Sequence, residues 1–277
     1  MPELPEVETT RSGVAPLIVG STLTAVRVRE PRLRWPVDLP ADLPGQRLQR
    51  LERRAKYLLF GFENGWLILH LGMSGSLRVL PVGTPYLKHD HLDLVLDEQR
   101  SLRLNDPRRF GSVHWQQGDP ATHWLLKNLG IEPLDTEFDG AYLKSRARGR
   151  RVAVKNFIMD GRVVVGVGNI YANEALFLAG IRPTVAANRV SAAGYAELAG
   201  RIRHVLAAAI QMGGTTLRDF VNQDGNPGYF KQSLNVYDRA GLPCVVCGTP
   251  LTAIRLGQRA TVFCRKCQRA QGFRAQE

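Results

Sequence analysis

The run Tyr57-Leu58-Leu59-Phe60-Gly61-Phe62-Glu63-Asn64-Gly65-Trp66-Leu67-Ile68-Leu69-His70 decides how the first half of the chain folds. Two apolar stretches flank Asn64-Gly65, a dipeptide that tolerates the left-handed backbone of a tight hairpin. The same texture continues on both sides. From Ser21 to Gln116, alternation predicts strands at 22–30, 56–63, 66–72, 75–80, 91–97, 101–105 and 110–116. Several short strands separated by turns predict an antiparallel sandwich or barrel. Ahead of them, Val7, Val14, Leu17 and Ile18 share one helical face, and Gly20 stops the element. After residue 120 the period becomes helical, with helices expected at 123–130, 139–147, 151–159, 170–179, 191–212 and 216–221. Ser191 is a cap for the longest of these and Gly213-Gly214 its stop. The fold class is α+β.

A chain of 277 residues has room for two domains with their own cores, and 44% hydrophobic with 22% charged residues is a globular composition. No apolar run approaches the ~20 residues of a membrane span, and the start lacks a basic region followed by an apolar stretch. The expectation is a cytoplasmic protein with no membrane partner. A net charge of +12 points to a polyanion, nucleic acid foremost, although ribosome and acidic-membrane binders share that signature.

All four cysteines lie near the C-terminal end, as Cys244-Val-Val-Cys247 and Cys264-Arg-Lys-Cys267 separated by sixteen residues. Two such pairs match a tetrahedral four-thiolate zinc site, each pair supplied by a tight knuckle within one of two hairpins. Disulfides are the competing reading, disfavoured for a cytosolic chain with clustered pairs. Four protein ligands close the shell, so the metal holds shape and does no chemistry.

The N-terminus reads Met1-Pro2-Glu3-Leu4-Pro5-Glu6-Val7-Glu8. Removal of the initiator would leave Pro2 with a free secondary amine. An α-amino group has a pKa near ~8 against ~10.4 for lysine, so roughly 300-fold more of it is neutral at pH 7. Attack of such an amine on an aldehyde-like sugar carbon gives an iminium, an electron sink for covalent catalysis. The plainer reading is a helix start, with prolines in the first turn and acids complementing the dipole.

Other stretches also carry two readings. Arg53-Arg54-Ala55-Lys56 is either a solvated strand head or a source of phosphate contact and proton transfer at Lys56. Met73, in His70-Leu71-Gly72-Met73-Ser74-Gly75, is a gap filler or a wedge that unstacks bases. Asp106-Pro107-Arg108-Arg109-Phe110-Gly111 sets cations beside a ring in a turn. Lys144, Arg146, Arg148, Arg150, Arg151 and Lys155 form a run without acids, suited to a solvated face or to phosphates. Val163-Val164-Val165-Gly166-Val167-Gly168-Asn169-Ile170-Tyr171-Ala172-Asn173-Glu174 lacks the third glycine and the βαβ setting of a dinucleotide site. It fits backbone amides and Asn169 presented to a phosphate at a helix start, or a purely structural start. Arg259 sits at a hairpin tip.

Together PELPEVET, RRAKYL, HLGMSGSL, KHDH, DPRRFG, VVGVGNIYANE, GGTTLRDF and QRATVFCRKCQ make the whole chain resemble bacterial formamidopyrimidine-DNA glycosylase, the base-excision repair family for oxidised purines such as 8-oxoguanine. The resemblance implies an N-terminal β-sandwich with its helix (1–130), a helix–two-turn–helix domain (131–235) and a zinc-finger hairpin (236–277), with duplex DNA in the cleft. It implies Pro2 as the Schiff-base nucleophile, Glu3 as proton donor, Lys56 in β-elimination and Arg259 in δ-elimination. It implies DNA contacts at His70, His89, Arg108, Arg150, Lys155, Asn169 and Arg259, where several members carry Lys in place of Arg150. Met73, Arg108 and Phe110 match the trio filling the gap left by the extruded nucleotide, and Glu174 an acid at the helix start. Asn222–Gln232 lies where the family has a lesion-capping loop. One structural zinc on Cys244, Cys247, Cys264 and Cys267 and a monomeric enzyme complete the expectation. The endonuclease VIII type, a sister group acting on oxidised pyrimidines, usually has Gly where this chain has Leu4. A non-catalytic, zinc-containing DNA-binding protein is the alternative of a different class.

Overall fold

The computed structural model describes residues 2–213 and 234–270. The helix expected at 216–221 and the loop Asn222–Gln232 lie outside them. The described chain forms two compact units, one reaching Asn128 and the other joining Leu129–Gln211 to the cysteine segment.

In the first unit, α1 (Leu4–Ile18) opens with Pro5 in its first turn, where an intrahelical N–H is not needed. Eight strands follow: β1 (Leu23–Val28), β2 (Arg50–Arg54), β3 (Tyr57–Gly61), β4 (Gly65–His70), β5 (Ser76–Pro81), β6 (Asp90–Leu96), β7 (Arg100–Asn105) and β8 (Ser112–Gln117). They make two antiparallel sheets ordered β1-β6-β7-β5 and β2-β3-β4-β8. Leu58, Phe60, Leu67 and Leu69 from one sheet meet Leu77, Leu92, Leu94, Leu102 and Leu104 from the other, and Val7, Val14 and Ile18 of α1 join the same core. This is the expected sandwich, with the helix laid against strands of both sheets.

Three local readings change. Arg50–Arg54 reads Arg-Leu-Glu-Arg-Arg and shows one apolar residue, so alternation does not reveal it. It is an edge strand with much of its surface in solvent, where charge is tolerated. At the β3–β4 hairpin the central pair is Glu63-Asn64, because the Phe62 N–H donates to the Gly65 carbonyl at 2.8 Å. Gly65 instead heads β4, where a Cβ would lie 2.6 Å from the Gln116 carbonyl oxygen. The helix expected at 123–130 is a 3₁₀ turn at Pro120–Thr122 followed by irregular turns. There Asp119 accepts the Ala121 N–H at 2.8 Å and His123 Nδ1 the Leu125 N–H at 3.3 Å, side-chain bonds that compete with a helical ladder.

The second unit contains α2 (Gly140–Arg146), α3 (Val154–Ile158), α4 (Asn169–Leu178) and α5 (Ala192–Gln211), then the antiparallel hairpin β9 (Thr252–Leu256) and β10 (Arg259–Phe263). α4 is buried from Ile170 to Phe177 and is the hub, packing on α5 on one side and β10 on another. The second expected hairpin is a short knuckle closed by a single bridge between Pro243 and Pro250.

Candidate catalytic terminus, nucleic-acid contacts and zinc centre

The start of α1 is held by its own side chains. Glu3 caps α1 in a capping box, its N–H donating to Glu6 Oε2 at 2.8 Å. Leu4 and Glu6 are wholly buried, Glu3 is 2% exposed and Pro2 is buried. Burial pushes the Glu8 carboxyl up, but hydrogen bonds from Arg11 and Arg53 outweigh it and hold the group below its ordinary value. The 2.9 Å contact from Arg53 also ties the helix to β2, two residues before the Ala55-Lys56 turn.

That turn places Ala55 at φ 56, and Lys56 follows it half-buried. Lys56 lies close enough to His70, at the end of β4, to act on its titration. Burial first, then the charges of Lys56 and Arg34, push His70 down to about 4. His70 Nδ1 accepts the Gly72 N–H at 2.9 Å, so a neutral ring carries its proton on Nε2.

Beyond His70 the turn 71–75 carries Met73, half-buried, while Arg108 and Phe110 stand exposed on the turn 106–111. Register forces the two turns together. His70 of β4 pairs with Ser112 of β8, and Ser76 of β5 with Asn105 of β7, so both turns cross between the sheets side by side. The Arg108 guanidinium lies 5.0 Å from the centre of the Phe110 ring. His89 sits at φ 76 on the loop before β6, where Asp90 accepts from the Leu87 N–H (2.9 Å) and Asn105 Nδ2 (2.8 Å).

In the second unit, Asn169 is the first residue of α4, and its Oδ1 is buried without a hydrogen-bond partner. Arg150 is half-buried, 3.5 Å from Asp160 and near the Phe157 ring. Lys155 and Glu174 are both buried. Lys155 is fully buried, its Nζ donating to Thr261 Oγ1 (2.7 Å) and the Ala260 carbonyl (3.0 Å). Glu174, 1% exposed, accepts from the N–H groups of Asn235, Val236 and Tyr237 and from Asn235 Nδ2, at 2.8–2.9 Å. Both are turned to the protein interior: one holds the hairpin and the other the backbone leading to the cysteines.

The hairpin turns on Gly257 (φ 54) and Gln258 (φ 61), both left-handed, which leaves Arg259 exposed at its tip. A Cβ on Gly257 would lie 2.7 Å from the Asn156 side chain, so the tip rests on α3. Behind it the four cysteine sulfurs fall within 4.8 Å of one another, with Cys244–Cys267 at 3.9 Å and Cys247–Cys264 at 3.5 Å. A zinc ion with Zn–S near 2.3 Å holds tetrahedral sulfurs about 3.8 Å apart, so the set fits. The Thr249 hydroxyl and backbone pull the Cys247 thiol down to about 6, while burial pushes Cys264 and Cys267 up. As thiolates, four sulfurs this close would repel one another, and a divalent cation between them would remove that repulsion.

Residues 1–113 match the formamidopyrimidine-DNA glycosylase N-terminal domain, 129–221 the H2TH domain of the same enzymes, and 241–270 the zinc finger found in FPG and IleRS. The formamidopyrimidine-DNA glycosylase of Methylococcus capsulatus is 61% identical over 271 residues, covering 97% of this chain and all of that protein. The chain belongs to the formamidopyrimidine-DNA glycosylase family. Solved relatives agree. The Thermus thermophilus MutM (Fpg) structure superposes with a TM-score of 0.87 at 38% identity, covering 96% of this chain and 98% of that one. The Lactococcus lactis Fpg, in complex with abasic-site DNA, gives 0.89 at 32% identity, covering 96% and 99%.

This glycosylase is therefore a base-excision enzyme with abasic-site lyase activity, and its four cysteines hold one structural zinc. Among the described residues, no helix is long and apolar enough to cross a membrane. The sequence reading missed Asn173, whose Oδ1 accepts the Val262 N–H at 3.1 Å and whose Nδ2 donates to the Asn169 carbonyl at 2.6 Å. It also passed over Asp106 and Ser74. Asp before Pro in a turn, a residue prone to bond nearby backbone, was the available signal.

Proposed function

We propose that this glycosylase, as a cytoplasmic monomer, removes oxidised purines from duplex DNA through the secondary amine of Pro2. After loss of Met1, that nitrogen attacks C1′ of the damaged nucleotide, the C1′–N bond to the base breaks, and Glu3 delivers a proton as the sugar ring opens. The iminium on Pro2 then acidifies the sugar C2′ proton. Lys56 assists its removal with loss of the 3′ phosphate, and Arg259 assists loss of the 5′ phosphate. His70, His89, Arg108, Arg150 and Asn169 hold the strand, and Met73, Arg108 and Phe110 fill the vacated stack. A base inside a duplex is out of reach, so extrusion and plugging are part of the chemistry. Lys155 and Glu174 enter as supports, the first for the hairpin that carries Arg259.

The observation that carries this reading is the capped, buried start of α1, which holds Glu3 in place one residue after the amine. General acid catalysis needs such an acid fixed within reach of the reacting group. The +12 charge supports binding without sequence preference, as damage that falls anywhere requires. Borohydride added during incubation with 8-oxoguanine duplex is expected to trap a covalent complex, and Pro2→Gly to trap far less. A parallel oxidised-pyrimidine duplex should react more slowly. Faster reaction there would favour the endonuclease VIII reading, and no trapping by folded, zinc-loaded protein would exclude the lyase step.

A further inference from the structure

Asp106 is the first residue after β7 and is wholly buried, yet it lies under two surface turns. One carboxyl oxygen accepts the Ser74 hydroxyl at 2.8 Å and the Arg108 N–H at 3.3 Å, and the other accepts the Gly111 N–H at 2.7 Å. Ser74 Oγ also lies 3.3 Å from the Arg108 N–H. Through its own backbone, Asp106 takes the His91 Nε2–H (2.8 Å) and the Arg109 N–H (3.1 Å), and its N–H donates to the His89 carbonyl at 3.0 Å. One residue thus joins the Met73 turn, the Arg108–Phe110 turn and the His89 loop.

The backbones themselves touch. A Cβ on Gly72, at φ 67, would lie 2.4 Å from both the Phe110 carbonyl carbon and the Gly111 nitrogen. The two turns therefore meet with no side chain between them, and the Asp106–Ser74 bridge fixes how far one can slide along the other. Burying an acid is costly unless hydrogen bonds replace its lost hydration, as four contacts to its carboxyl and backbone carbonyl from Ser74, Arg108, Gly111 and Arg109 do here. Here the bonds specify the spacing of Met73 against Arg108 and Phe110.

We propose that Asp106 and Ser74 are positioning residues for base extrusion, a clamp that sets the three plugging side chains at one fixed separation. This rests on the reading of Met73, Arg108 and Phe110 as the plug. The clamp touches neither lesion nor sugar, so its effect belongs to the step that opens the duplex. Excision from a paired duplex depends on it, and cleavage of an abasic site in single-stranded DNA, where no base is extruded and no stack is filled, does not.

The test compares wild type, Asp106→Asn and Ser74→Ala under single-turnover conditions on 8-oxoguanine duplex and on single-stranded abasic DNA. An Asn can accept on one side only and must turn its NH₂ toward a donor on the other. Asp106→Asn is expected to slow duplex excision about 10–100-fold and Ser74→Ala less, while abasic-site cleavage stays within about twofold. In a Met73→Ala background the Asp106→Asn loss should be clearly smaller, since the spacing between Met73 and the Arg108–Phe110 turn has then lost one of its two ends. Equal losses on both substrates, additive losses in the double variant, or no loss in either single variant would overturn the clamp. Should Asp106→Asn fail to fold, Ser74→Ala and its Met73→Ala combination decide alone. A wild type inactive on both substrates would instead overturn the underlying enzymatic reading.

Discussion

His70 shows what a single residue contributes at the candidate site. Burial, aided by the Lys56 and Arg34 charges, pushes it down to about 4, so it is neutral across the physiological range. Its native value lies below the unfolded value near 6.5, so protonation favours the unfolded chain. The associated stability is complete above pH ~6.5 and is lost as pH falls through the native value. Proton NMR of the His70 ring should show a midpoint near 4, and a midpoint at the ordinary histidine value would contradict the arrangement. Glu174 makes a second residue-scale prediction. Its carboxyl takes four donors inside the protein, and bonds to charged groups contribute ~1.5–3 kcal/mol each. Glu174→Ala should therefore lower unfolding free energy by about 3 kcal/mol or more, read from chemical denaturation. A change below ~1 kcal/mol would mean that these bonds are not held in solution. Neither role was legible from the residue alone. The sequence marks His70 as a DNA contact and Glu174 as an acid at a helix start, but their burial and partners depend on distant segments, including residues 235–237.

At the scale of elements, the turns decide most. Gly72 stands where two backbones meet at 2.4 Å from any added Cβ, with φ at 67. Gly72→Ala is expected to cost at least ~2–3 kcal/mol of stability, because neither backbone can yield cheaply; an unchanged Tm would refute that packing. The zinc hairpin gives the companion prediction. Arg259 depends on a tip seated on Asn156 and Lys155 and on the metal behind it. Chelation should weaken DNA binding and suppress the second elimination product before the first, and unchanged product ratios after verified zinc loss would argue against it. Most elements could be read from pattern alone: α1, the seven alternating strands, α4, α5 and the paired Cys-x-x-Cys knuckles. β2 could not, because an edge strand of charged residues carries no alternation. The segment 123–130 misread as helix for the opposite reason, since its apolar residues fit the period while His123 and Asp119 draw the backbone into turns.

For the whole molecule, a basic chain, a β-sandwich, a helical unit and a zinc hairpin are features that many proteins share; family membership settles the enzyme class. In the proposed mechanism, chemistry enters through the first residues. Composition and periodicity leave the terminus as either a helix start or a nucleophile, and the structure shows why these need not compete: the helix start is what fixes Glu3. The most direct test is the site of the covalent bond. Digestion of the borohydride-trapped complex followed by tandem mass spectrometry is predicted to place the sugar remnant on the nitrogen of Pro2. A remnant on Lys56 or another lysine, from protein that excises 8-oxoguanine normally, would contradict the account.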